Sequence, residues 1–482
     1  MNYFDLTAVK AAEAVNNKEI SARHLIENIL EHCIDLNKKL NTFTYIAGTE
    51  ALEHADSVDQ KINSGYSMPL AGVPIAIGDN IAYKEMPAGL GSGAFRDYKP
   101  PFSAAAVEKL IGAGAVVIGK TNTGDMGIAL NKALSPAGPV LNPWNINRIS
   151  ESAGAAALAV RQCMLILESD SEGALRQGAA TCGVFGLRPT PGRISRYGLN
   201  ICSGSFDQVG LAAAAVADVS LAFQAVVGYD ERDILTSVSR ESRVKSEPGK
   251  IPSEIKLAFS PESFDLIDPV SAEKLSQFRE RCSSHGFILV ETPLKLLNNA
   301  LKAFYVITYA ETSSTFARFD GIRYGRAAEA DNLEDLYYKT RRLTFGHEAQ
   351  RRSVFGTYLL SKGNFEHYYQ QALKVWSLVK QEFAETMSNC DFLVLPTVKS
   401  TALKESEDSD FLKLLEEDIF TAPVTMTGLP SLTLPAWMEN NFPAGIQLIG
   451  RPFSDEMLIN IADIIKAEIE YPVPGNSEGE AC

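Results

Sequence analysis

The chain is 482 residues long, 45% hydrophobic and 22% charged, with a formal net charge of −14. That length and balance exclude a disordered or low-complexity chain and leave room for a large apolar core. The acidic surplus excludes a protein that grips nucleic acid by neutralising phosphates across its own surface.

In chain order, the N-terminal stretch "MNYFDLTAVKAAEAV" breaks its apolar positions with Asp5, Lys10 and Glu13, unlike a secretory leader, and no apolar run reaches membrane-spanning length. Leu25, Ile29 and Cys33 recur at four-residue spacing beside Ile26, Leu30 and Ile34, which predicts a core-facing helix capped by Ser21. Short apolar runs then alternate with helical patterns: "GVPIAI" at 72–77, "AVVIGK" at 115–120, "CMLIL" at 163–167, "IKLAFS" at 255–260 and "FILVE" at 287–291. Further strands are expected at 392–397, 432–437 and 445–450, with one or two long helices over 342–386. This rhythm predicts an α/β fold with a buried sheet. The chain reads as a single domain over 1–482, with surface excursions at 230–253 and 402–418 and a frayed tail at 471–482.

The seven cysteines show no C-x-x-C pair and no histidine at zinc spacing, and their number is odd. They read as reduced thiols packed in the core, and the expectation is a cytoplasmic protein with no membrane association. The six histidines are dispersed and predict no metal site. "GLGSG" at 89–93 lacks the Lys-Ser/Thr of a phosphate loop and reads as a turn, so no cofactor is expected.

The stretch "CMLILESDSEGALRQ" ends a buried strand, turns through Ser171, Glu172 and Gly173, and re-enters the core at Ala174. Enzymes of the α/β class place a nucleophile and an oxyanion-binding backbone at such a turn. Here Ala174 cannot attack, Glu172 brings a negative charge to the loop, and no base lies close in sequence. Upstream, "ISESAGAAALAV" (149–160) reads as a tightly packed helix start, and "LAGVPIAIGDN" (70–80) as a strand ending at Gly78.

Collinear segments along nearly the whole chain resemble the amidase signature family: "SMPLAGVPIAIGDNIAYKEMPA", "GAVVIGKTN", "NPWNINRI", "RQGAATCGVFGLRPTPGRISRYGL", "SFDQVG", "DGIRYG", "RRSVFGTYLLS", "DIFTAPVTMTGLPSLTLPA" and "GIQLIGRPF". The likeness is strongest to the glutaminase-subunit branch of the tRNA-dependent amidotransferases. The resemblance implies the amidase signature fold, a mixed sheet covered by helices. It also implies amide hydrolysis by a lysine base, a relay serine and a nucleophilic serine. Position by position, the lysine falls on Gly78, the nucleophile on Ala174, and the relay serine is best matched by Ser152 across an apparent deletion. Asp170, Gly173, Arg176 and Gln177 follow the family pattern, whereas Lys84, Lys120 and Cys182 correspond to positions without a catalytic role.

The binding side of the family pattern is better kept. The residues that hold glutamine's carboxylate and ammonium correspond to Arg351 or Arg352 and to Asp418, with Tyr305 lining the pocket; structural charge pairing is the competing reading. Loss of a nucleophile or its base lowers turnover by about 10⁴ to 10⁶. The leading expectation is therefore a catalytically silent, amidase-like scaffold or regulatory subunit, or an amino-acid binder, in a hetero-complex with amidotransferase-like subunits. It is expected to make no direct contact with nucleic acid. The alternative is an active amidase or glutaminase using displaced residues such as Ser152 or Ser171, and a third reading is a small-molecule sensor.

Overall fold

The computed structural model describes residues 2–128, 135–236, 254–399, 411–439 and 441–466. Its strands are β1 (Phe43–Ile46), β2 (Pro74–Gly78), β3 (Val116–Thr121), β4 (Leu141–Asn142), β5 (Asn145–Ile149), β6 (Leu165–Ser169), β7 (Phe185–Arg188), β8 (Val209–Ala213), β9 (Lys256–Phe259), β10 (Ile288–Glu291), β11 (Phe392–Pro396), β12 (Ser431–Glu439) and β13 (Phe442–Ile449). Eleven of them form one mixed sheet in the order β1-β3-β2-β6-β8-β7-β12-β13-β11-β9-β10, and β4 with β5 makes a separate hairpin.

β2 lies parallel between β3 and β6, so the C-terminal ends of three neighbouring strands open onto the same edge. From β6 through β8, β7, β12 and β13 to β11 the pairing is antiparallel. β2, β8 and β11 are buried along their whole length. A strand covered on both faces has no polar face, which is why these segments carry unbroken apolar runs instead of alternation.

Helices cover the sheet. Ser21 caps the Ala22–Leu40 helix, its hydroxyl accepting from the His24 amide at 3.1 Å, and the stripe of Leu25, Ile26, Ile29, Leu30 and Cys33 faces the core. A second apolar cluster lies under the Leu297–Phe316 helix, which packs against the helices His347–Leu360 and Gln370–Asn389.

Of the one or two long helices expected over 342–386, two are observed, His347–Leu360 and Gln370–Asn389, the second preceded by a single π turn at Phe365–Tyr369; residues 342–344 end the earlier helix Leu333–Thr344. The first break falls at Gly346, whose amide donates to Asp125 at 2.6 Å. The second falls after Leu360, where Ser361 leaves the helix in an extended conformation and Gly363 turns the chain with φ 86°. Where the two excursions are described, Glu231, Arg232, Ile234, Leu235, Leu412, Lys413 and Glu416 are exposed, with a few buried anchors between them. Ser195 donates to Asp230 at 2.7 Å and Thr236 is buried, while Asp418 is fully buried. Residues 237–253 and 402–410, and the tail 471–482, lie outside the described residues. Among the described residues, no helix is long and apolar enough to cross a membrane.

Candidate functional site

Open α/β sheets gather ligands at the carboxyl ends of parallel strands. β2 ends at Gly78 and β6 at Ser169, with Ile77 paired to Leu167 one step inside the edge, and β3 ends beside them at Thr121. The segments that follow these strands enclose a cavity of about 40 Å³, and Gly78, Ser152 and Ala174 all line it. Residues spread over almost a hundred positions of sequence thus meet at one point.

Ala174 is the first residue of the helix Ala174–Cys182. Gly173, before it, has φ 101°, and a Cβ there would sit 2.4 Å from Thr421, so both backbone and space demand glycine. Ala174 presents only a methyl group at the start of this helix, and it lines the cavity. Ser171 and Glu172 also line the cavity.

Ser152 caps the helix Ala153–Ala159, accepting from the Ala155 amide at 3.0 Å. Its hydroxyl donates to Glu168 at 2.6 Å. The other Glu168 oxygen accepts from Thr121 at 2.6 Å and from the Gly154 amide at 2.9 Å. A Cβ on Gly78 would lie 3.6 Å from the Glu168 Cγ and 2.9 Å from the Asn80 Oδ1. A side chain at 78 would thus start in close contact with Asn80 and beside the Glu168 stem. Burial pushes the Glu168 carboxyl up from its ordinary range, against the pull of its three donors. Sequence reasoning missed Glu168, although an acid directly after "CMLIL" was a visible signal.

Of the expected binding residues, Arg352 reaches the cavity and Arg351 does not. The Arg352 guanidinium grips both oxygens of Glu172, one at 3.1 Å and the other closer, and donates through Nε to Glu348 at 2.9 Å. Burial works against its charge, but Glu172 and Glu348 outweigh it and hold Arg352 protonated above its ordinary range. Arg351 is partly exposed and takes the other Glu348 oxygen at 3.0 Å. Asp418 accepts from the Tyr305 hydroxyl and from Gln177 at 2.9 Å. Neither Asp418 nor Tyr305 is among the residues that line the cavity. The polar groups suited to an amino acid's two charges are thus engaged by the protein's own side chains.

Four carboxylate residues line the cavity, Glu151, Glu168, Glu172 and Asp207, against the single guanidinium of Arg352. Burial pushes Asp207 up to about 6 despite donation from the Ser203 amide at 3.0 Å. Such a lining opposes a developing oxyanion. The cavity volume is about that of a water molecule, whereas ligand pockets run to roughly 300–1,000 Å³. Lys84 is exposed and does not line the cavity. Lys120 is fully buried, donates to the Ile81 carbonyl, and is lowered to about 8 by desolvation. Burial raises the Cys182 thiol to about 12, which leaves it unreactive.

Known proteins share this architecture. A family model described as Amidase matches residues 24–459. The glutamyl-tRNA(Gln) amidotransferase A-subunit of Natranaerobius thermophilus is 33% identical over 98% of this chain and 97% of its own. The protein of the same name from Methanosarcina mazei is 37% identical over 94% of this chain and 95% of its own. The crystal structure of the glutamyl-tRNA(Gln) amidotransferase A-subunit from Thermotoga maritima superposes with a TM-score of 0.77 at 27% identity, covering 99% of both chains. A bacterial aryl acylamidase of the amidase signature enzymes shares the fold, with a TM-score of 0.82 at 20% identity over 96% of both chains.

Proposed function

The chain belongs to the amidase signature family, and we propose that within it this is a catalytically silent protein of the amidotransferase A-subunit type, acting as a scaffold or regulatory subunit. The observation that carries the reading is the small cavity at Ala174: its guanidinium, Arg352, is bound by Glu172, and about 40 Å³ remains. Chemistry of the family kind needs a nucleophile at 174 and a base at 78, and each absence alone lowers turnover by about 10⁴ to 10⁶. A filled pocket favours the scaffold over the amino-acid binder. The subunit role rests on the relatives, whose names make them subunits of an amidotransferase. A net charge of −14, which does not suit RNA, agrees with a role through protein contacts.

A second reading has one specific observation behind it. Ser152 donates to Glu168 at 2.6 Å and both line the cavity, so a carboxylate base and a serine stand in contact. The same hydroxyl is also the cap of the 153–159 helix, which ties its lone pair to the Ala155 amide. That second bond favours a structural serine.

Protein purified from its own source and sized by chromatography with light scattering is expected to run as a hetero-complex. It is expected to release no ammonia from glutamine, asparagine or simple amides. The Gly78→Lys, Ala174→Ser variant is expected to stay inactive too, because Glu172 still holds Arg352. Ammonia release by the parent that disappears in Ser152→Ala would overturn the silent reading, and a lone monomer would overturn the subunit role.

A further inference from the structure

A second and far larger cavity, about 930 Å³, adjoins the small one, with Asn80 lining both. Its walls come from two loops, 88–102 and 318–326, with the turn 197–200 as a third side. These walls are built and tied together. The Arg326 amide donates to the Ala94 carbonyl at 2.9 Å, and the Ala88 amide to the Tyr98 carbonyl at 2.9 Å. Asp79 anchors the first loop from below by accepting from the Gly89 amide at 3.1 Å and the Gly91 amide at 3.0 Å. Phe95 and Phe319 meet edge to face at 5.2 Å between the two loops.

The lining combines flat rings with positive charge. Tyr98, Phe102 and Tyr324 are exposed large aromatics, between 39% and 55% accessible, and all line this cavity. Four arginines share the lining with one acid, Asp97. Arg323 is paired with Asp320 at 3.0 Å, and Arg318 gives only its Nε, to the Thr315 carbonyl at 3.0 Å. Among the described residues, Arg96, Arg318 and Arg326 form no ion pair. Rings offer stacking faces and guanidinium groups offer forked donors for an oxyanion. The volume lies within the range of sites for small molecules.

We propose that this cavity is a binding site for an aromatic anion, a molecule with a flat apolar body and one carboxylate, sulfonate or phosphate group. The rings of Tyr98, Phe102 and Tyr324 take the body, and Arg318 and Arg326 take the charge. This goes beyond the silent-subunit reading and does not depend on it, because it is read by binding and not by ammonia release.

The test uses 8-anilinonaphthalene-1-sulfonate on the full-length protein, titrated by fluorescence, with 1-naphthoate and neutral 1-naphthalenemethanol as competitors. One saturable site is expected, displaced by naphthoate but not by naphthalenemethanol. Arg318→Ala with Arg326→Ala is expected to weaken binding about tenfold or more, since a charged hydrogen bond contributes roughly 1.5–3 kcal/mol. Tyr324→Ala is expected to weaken it as well. Thermal unfolding of each variant checks that it remains folded. Equal competition by the neutral alcohol, or dye binding that the folded variants leave unchanged, overturns the proposal.

Discussion

Glu168 and Glu172 are two buried acids that line one cavity. An unpaired buried carboxylate is strongly unfavourable. Glu168 meets three donors and Glu172 meets a guanidinium, so each is satisfied without solvent. Lys120 is the residue-scale counterpart, a buried ammonium lowered to about 8 by desolvation, with Asp79 opposing the shift. An unfolded lysine keeps its proton to about 10.4. Between about 8 and 10.4 the unfolded state binds more protons, so this group makes stability rise with pH across that window and contributes no slope below it. Denaturant unfolding at a series of pH values is expected to show that rise in the parent and a flatter profile in Lys120→Met. An identical slope in both would mean that Lys120 stays protonated in the fold.

At the scale of elements, the site is a product of strand order. β6 and β2 are parallel neighbours, and the helix 174–182 starts within a short turn of the β6 terminus. The turn closes on Gly173. Gly173→Ala is expected to lose about 2–4 kcal/mol of stability, from the positive φ and from the clash with Thr421. Chemical denaturation measures it, and a loss within about 0.5 kcal/mol would show that the turn relaxes freely. Much of this was legible in the sequence. Ser21 as a cap, the runs around β2, β3 and β6, and the strand-turn-helix at 169–174 carry local signals of capping, apolar continuity and turn chemistry. β7 and β8 were not, because "FGLR" and "VGLAA" are poor in β-branched and aromatic residues and gain their place from neighbours. The Glu172–Arg352 contact was also illegible: its partners stand 180 residues apart, and nothing local in either segment names the other. Arg352 and Asp418 were singled out through family resemblance, but their contacts with Glu172 and with Tyr305 and Gln177 emerge only from the packing.

For the whole molecule, the large mixed sheet sets the helix 174–182 and Arg352 against one small cavity, which four carboxylate residues line, and the proposed silent reading rests on that arrangement. Glu172 stands against Arg352 as a ligand carboxylate would, and the neighbouring cavity stays open at about 930 Å³. The central claim is that the small pocket is self-occupied. Isothermal titration of glutamine and glutamate into the parent and into Glu172→Ala tests it most directly. The account expects no saturable heat with the parent and saturable binding once the Arg352 guanidinium is vacated; saturable binding of glutamine by the unmodified protein would contradict it.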